Sequence, residues 1–195
     1  MQKKPNFISK EEIYAGHLSF YKCALVIPSL IPDKTAITLR REVVSSADSI
    51  SVLLYAPQID SFILCQQFRA GVFLNEADDD PFIFECVAGT MEPDMQPEAL
   101  ARKEIFEETG LTVDSLEKIA VIYKSPGIMT EKAYFYYAEV DGEIKSGFFG
   151  VDDEEIKTHL VKRVEAYKWL DDMKIRDAST AFALNWFRAK KDKSK

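Results

Sequence analysis

The chain has 195 residues, 47% of them apolar, and a formal net charge of −7 at pH 7. That length suits one domain, or one domain with a small appendage, and that apolar share supports a packed core rather than disorder. The negative charge argues against nucleic acid as a partner, because phosphate binding needs basic surface. No run approaches the roughly 18 apolar residues of a membrane span.

The opening MQKKPNFISKEEIYAG has no apolar signal-peptide core, and residues 1–17 read as polar and irregular. FYKCALVIPSL (20–30) and KTAITLRREVV (34–44) read as strands parted by a turn at Pro32-Asp33. SISVLLYAP (49–57) and SFILCQQFR (61–69) follow as two more, and NEADDDP (75–81) is a solvated loop. FIFECVAG (82–89) reads as one strand. LEKIAVIYKS (116–125) and EKAYFYYAEV (131–140) are further strands. The alternation at Tyr134, Phe135, Tyr136 and Tyr137 is that of a core strand with one exposed face. An acidic loop, GFFGVDDEE (147–155), leads to the strand IKTHLVKR (156–163). VEAYKWLDDMK and DASTAFALNWFRAKK close the chain as two helices, with apolar residues at Ala166, Trp169 and Leu170 and at Ala181, Leu184 and Phe187.

Cys23, Cys65 and Cys86 lack C-x-x-C spacing and lie in apolar, strand-like runs. They read as reduced, buried thiols of a cytoplasmic protein. His17 and His159 are too few for a zinc site.

The stretch GTMEPDMQPEALARKEIFEETGL (89–111) holds four glutamates within its last fourteen positions. Pro97 suits the first turn of a helix and Gly110 its left-handed end. Glu104, Glu107 and Glu108 fall within about a 100° sector of that helix, while Ile105 and Phe106 point elsewhere, toward a core. Like charges at these spacings cost about 0.2–0.5 kcal/mol per pair, and Lys103 offsets only one pair. The acidic face is either merely solvated or holds a hard divalent cation, which takes carboxylate oxygens.

Gly89, Glu104, Ile105, Glu107, Glu108, Gly110 and Leu111 resemble the Nudix box, G-x5-E-x7-R-E-U-x-E-E-x-G-U with U apolar. Met95 stands where the box has Glu, and Lys103 where it has Arg. Further segments resemble the ADP-ribose pyrophosphatase branch, which also contains GDP-mannose hydrolases. These are Gln66-Gln67-Phe68-Arg69, Arg40-Arg41-Glu42, Ser125-Pro126-Gly127 and the C-terminal helices. Arg40, Arg41 and Arg69 also read as plain strand-edge arginines, and Pro126 as a simple turn residue.

The resemblance implies an α+β fold. Residues 46–195 would be a Nudix α/β/α sandwich with a mixed sheet. Residues 1–45 would be a small N-terminal β-domain exchanged across a homodimer. It implies Mg²⁺, with Mn²⁺ as a substitute, held by Glu104, Glu107, Glu108 and the backbone carbonyl of Ala88. It implies an acidic base on the loop after the sheet, at Asp152 or Glu154, with Glu107 beside it. Arg69, Arg41, Glu42 and Glu131 would bind substrate. The implied reaction is hydrolysis of ADP-ribose to AMP and ribose 5-phosphate. The alternatives are GDP-mannose or another nucleoside diphosphate sugar as substrate, or a Nudix module that binds such a metabolite without turning it over.

Overall fold

The computed structural model describes residues 4–142, 144–151 and 154–191. In chain order the strands and helices are β1 (Asn6–Ala15), β2 (Ser19–Pro28), β3 (Ala36–Ser45), β4 (Ser49–Ala56), β5 (Ser61–Phe68), α1 (Ala70–Phe73), β6 (Phe82–Glu85), β7 (Val87–Thr90), α2 (Pro97–Thr109), β8 (Glu117–Tyr123), β9 (Lys132–Glu139), β10 (Phe148–Phe149), β11 (Ile156–Lys162), α3 (Arg163–Asp171) and α4 (Ala178–Lys190). They divide into two compact units, Met1–Asp48 with Ile122–Ala133, and Ser49–Val121 with Tyr134–Lys195.

The first unit is an antiparallel sheet in the order β1-β2-β3. β2 and β3 pair in unbroken register from Ser19↔Ser45 to Pro28↔Ala36. Asp33 takes a left-handed φ of 65° in the turn between them, as Asp tolerates. The expectation that residues 1–17 are irregular is corrected here, because residues 6–15 form β1. Every residue of that strand is exposed, and its pairing with β2 is bulged twice. No buried face imposes apolar alternation on it; the backbone ladder makes it a strand, helped by cross-strand contacts of Tyr21 with Glu12 and Lys10 and of Tyr14 with Phe20. Segment 122–133 joins this unit through backbone bonds, Val44 N–H to the Ile128 carbonyl (2.7 Å) and Thr130 N–H to the Val44 carbonyl (3.1 Å).

The second unit is built on a sheet with strand order β10-β11-β5-β4-β9-β8, with β6 on β5 and β7 on β4. Both faces of this sheet are buried. Ile50, Val52, Leu54, Ile63 and Cys65 pack under Leu100, Ala101 and Ile105 of α2. The alternate residues Leu53, Phe62 and Leu64 pack under Ala166, Tyr167, Ala183, Leu184 and Phe187 of α3 and α4. Side chains two apart share a face, so β4 and β5 read as nearly continuous apolar runs because both faces carry helices. Burying each such Leu or Phe contributes about 1.5–3 kcal/mol. This is the α+β fold with an α/β/α arrangement that the sequence implies.

Two local expectations change. The run FIFECVAG is two strands, β6 paired with β5 and β7 paired with β4. The break falls at Cys86, whose N–H donates to Thr180 Oγ1 on α4 (2.8 Å) instead of to a strand. The aromatic run on β9 has no exposed face: Tyr136 packs on the α2 side and Tyr137 on the α4 side. Phe135 meets Phe182 edge-on at 4.8 Å. Among the described residues no helix is long and apolar enough to cross a membrane.

Candidate active site

α2 begins after extended Gln96 with Pro97 in its first turn. It ends at Gly110 (φ 69°), whose N–H bonds the Phe106 carbonyl at 2.8 Å. Its buried residues are Leu100, Ala101, Ile105, Glu108 and Thr109. Phe106 is 60% exposed, which corrects its placement toward the core. It lies about 100° from Ile105, and that turn of the helix puts Glu108 on the sheet side instead.

Glu108 is only 2% exposed. Its Oε2 accepts from the Cys65 thiol at 3.4 Å, and the Ala88 backbone also hydrogen-bonds its carboxylate. Burial pushes Glu108 up to about 8 against these two bonds, with the Glu104 and Glu154 charges adding to the rise. Burial likewise pushes Glu104 up to about 7, opposed by Lys103 and reinforced by Glu107 and Glu154. Burial and the adjacent Glu108 push the Cys65 thiol well up, so it is a proton donor at neutral pH.

β7 brings Gly89 against the same helix. A Cβ at that position would stand 2.5 Å from Glu104 Cγ and 2.6 Å from its Oε1. A side chain there would displace the Glu104 carboxylate, so glycine is what lets the strand and the carboxylate approach this closely.

Lys103 lies among three carboxylates, 3.2 Å from Glu107, 3.3 Å from Glu92 and 3.9 Å from Glu104. Met95, which replaces the box glutamate, packs against the apolar cluster beneath α2. The polar tie between the loop and the helix therefore comes from Glu92, which the sequence reading did not single out.

Arg69 caps α1 and its Nε donates to Glu85 Oε2 at 2.7 Å. Glu85, only 7% exposed, was also missed, although a lone carboxylate in the apolar run FIFECV is a visible signal. The acidic loop reaches α2, with Gly150 N–H toward the Glu107 carbonyl at 3.4 Å. Asp152 lies outside the described residues.

The second unit thus brings together Arg69, Ala88, Glu104, Glu107, Glu108 and Glu154. Arg41, Glu42 and Glu131 belong to the first unit. Arg41 and Glu42 stand on β3 opposite Cys23 and Lys22, and line a shallow concavity with Arg40. Glu131 pairs with Lys124 at 3.2 Å.

Among the described residues no three candidate ligands already converge on one point. The donor set nevertheless fits a hard divalent cation. Two carboxylates are held at or above neutrality by burial and mutual repulsion, and a cation relieves both. Mg²⁺ needs only one or two protein carboxylates.

An acidic helix on this sheet fits metal-assisted chemistry on phosphate compounds. The chain superposes on a crystal structure titled an ADP compounds hydrolase with a TM-score of 0.72, at 15% identity over 97% of each chain. The NUDIX domain model matches residues 46–185, and the chain belongs to the Nudix family as a pyrophosphohydrolase. It is 28% identical to an ADP-ribose pyrophosphatase of Haemophilus influenzae over 190 residues, 96% of this chain and 87% of the relative. It is 30% identical to that of Escherichia coli K12 over 185 residues, 93% and 86% of the two chains. A GDP-mannose pyrophosphatase of Cronobacter sakazakii is 35% identical over 153 residues, 78% and 79%. These relatives put the chain in the ADP-ribose pyrophosphatase branch of the family.

Proposed function

We propose that the protein hydrolyses the pyrophosphate linkage of ADP-ribose to AMP and ribose 5-phosphate, with Mg²⁺ as cofactor and Mn²⁺ as a substitute. The observation that carries this reading is the acidic face of α2, with Glu108 buried and Glu104 half-buried against Gly89, and the two raised to about 8 and about 7. Like charges packed that closely in a low-dielectric site are costly without a cation.

Glu104, Glu107, Glu108 and the Ala88 carbonyl would hold the metal. When bound, the ion neutralises phosphate charge and lowers the pKa of a bound water. Glu154 or Asp152 takes the proton from the attacking water, with Glu107 of the helix assigned to the same catalytic set. As water adds to phosphorus, the bridging P–O bond breaks and the leaving phosphate departs with its oxygen. Arg69, steadied by Glu85, binds a substrate phosphate with its remaining donors. Arg41, Glu42 and Glu131 serve the nucleoside and sugar ends.

The same chemistry on GDP-mannose is the second reading, favoured by the GDP-mannose pyrophosphatase at 35% identity. Steady-state rates on a panel of nucleoside diphosphate sugars decide between them. ADP-ribose should lead in kcat/KM, whereas a tenfold preference for GDP-mannose would make the second reading correct.

We also assign residues 1–45 as a dimerisation segment. Phe7, Ile8, Ile13, Tyr14, Phe20 and Ile31 leave substantial apolar surface exposed in this unit, which suits pairing with a second copy. The three free, buried cysteines suit the cytoplasm.

A further inference from the structure

Cys65 stands at the middle of a row that crosses three strands. It lies directly opposite Thr158 on β11 and Glu85 on β6. Directly paired residues share a face of the sheet, and this face is the one beneath α2. All three are buried, at 1%, 0% and 7% exposure for Thr158, Cys65 and Glu85. Each holds one part of the site. Thr158 Oγ1 accepts from Gly147 N–H (2.9 Å) at the foot of the acidic loop. Glu85 accepts from Arg69 (2.7 Å). The Cys65 thiol donates to Glu108 Oε2 (3.4 Å).

We propose that Cys65 is a positioning residue for the cation-binding carboxylate of Glu108. This rests on the metal role proposed above for the helix. The terminal torsion of a glutamate is broad and roughly two-fold, so an unheld carboxylate samples many orientations. A fixed donor removes that freedom before the cation arrives, and affinity rises with such preorganisation. A carboxylate has about four lone-pair sites, so the bonds from the thiol and the Ala88 backbone leave capacity for a cation. The thiol is also neutral and a weak donor. It holds the carboxylate without bringing a positive charge that would compete with the ion, as a lysine or arginine there would.

Mn²⁺ binding to the full-length protein, followed by electron paramagnetic resonance, tests the idea on wild type, Cys65→Val, Cys65→Ala and Cys65→Ser, each checked for folding by thermal unfolding. Loss of the donor in the valine and alanine variants should weaken Mn²⁺ binding about tenfold, as loss of an outer-shell partner typically does. The serine variant keeps a donor and should bind within about threefold of wild type by the same reasoning. The Mg²⁺ concentration for half-maximal turnover should move in parallel, with kcat at saturating Mg²⁺ little changed. Equal affinity in wild type and whichever apolar variant folds overturns the proposal, and so does equal weakening in all three variants, which would make Cys65 a packing residue. If wild type itself binds no Mn²⁺, the metal role of the helix fails and this inference falls with it.

Discussion

Glu108 occupies a position on a helix that ordinarily belongs to a leucine, facing a sheet among Ile105, Leu100 and Cys65. Its proton affinity gives this burial a measurable consequence. In the folded, metal-free protein Glu108 holds its proton to about pH 8, while its ordinary value is 4.5. Between those two values the unfolded chain has lost the proton and the native state has kept it. Stability of the metal-free protein therefore falls as pH rises through that window. Glu108→Gln removes the titration, so in the presence of chelator its melting temperature should fall less from pH 5 to pH 8 than that of wild type. Parallel curves would show that Glu108 is not the group responsible. The same variant should lose at least about 100-fold in metal-dependent kcat/KM, since even outer-shell partners cost 10–100-fold. Gly89 makes the second prediction at this scale. An added methyl meets Glu104 rather than backbone, so the carboxylate must move. Gly89→Ala should lower kcat/KM by about tenfold or more, because a displacement of about 1 Å can cost 100-fold. Its urea midpoint should stay near wild type, and unchanged kinetics would contradict the close approach.

At the scale of elements, α2 was the most legible part of the chain. Pro97 and Gly110 marked its ends, and both stand where those residue types act locally. Gly110 also faces Phe149, whose Cε1 would lie 3.0 Å from an added Cβ. Gly110→Ala combines left-handed strain of about 1–2 kcal/mol with that contact, and should lower the unfolding free energy by at least that much in urea titration. A loss below 0.5 kcal/mol, roughly the scale of an ordinary surface change, would contradict it. The strands were legible where burial left a continuous apolar run, as in β4 and β5, or a period, as in β11. They were illegible where it did not. β1 buries nothing, so its sequence carries no alternation to read. The break at Cys86 depends on a hydroxyl on α4, 94 residues away in sequence, and no local pattern announces it. The same holds within the site. The three glutamates and Gly89 follow from spacing on one helix and strand, but Cys65 and Glu85 enter through the pairing of separate strands, and Glu92 through a loop that folds back onto Lys103.

At the scale of the molecule, two compact units divide the residues assigned to the metal, the proton transfer and the substrate phosphate from those assigned to the nucleoside and sugar ends. Arg69 and the acidic helix lie in one, and Arg41, Glu42 and Glu131 in the other. Sedimentation equilibrium at micromolar concentration should give twice the 22.2 kDa chain mass, in keeping with the apolar surface on the first unit. A single-chain mass would contradict the dimerisation role of residues 1–45. The central claim is that the acidic helix makes this protein a metal-dependent pyrophosphohydrolase of ADP-ribose. It is tested most directly by following AMP release from ADP-ribose with Mg²⁺ present and then chelated. The account predicts turnover that stops on chelation and returns when Mg²⁺ is restored. A folded protein that, with metal present, turns over neither ADP-ribose nor any other nucleoside diphosphate sugar would contradict it, and would make the chain a binding module built on the same fold.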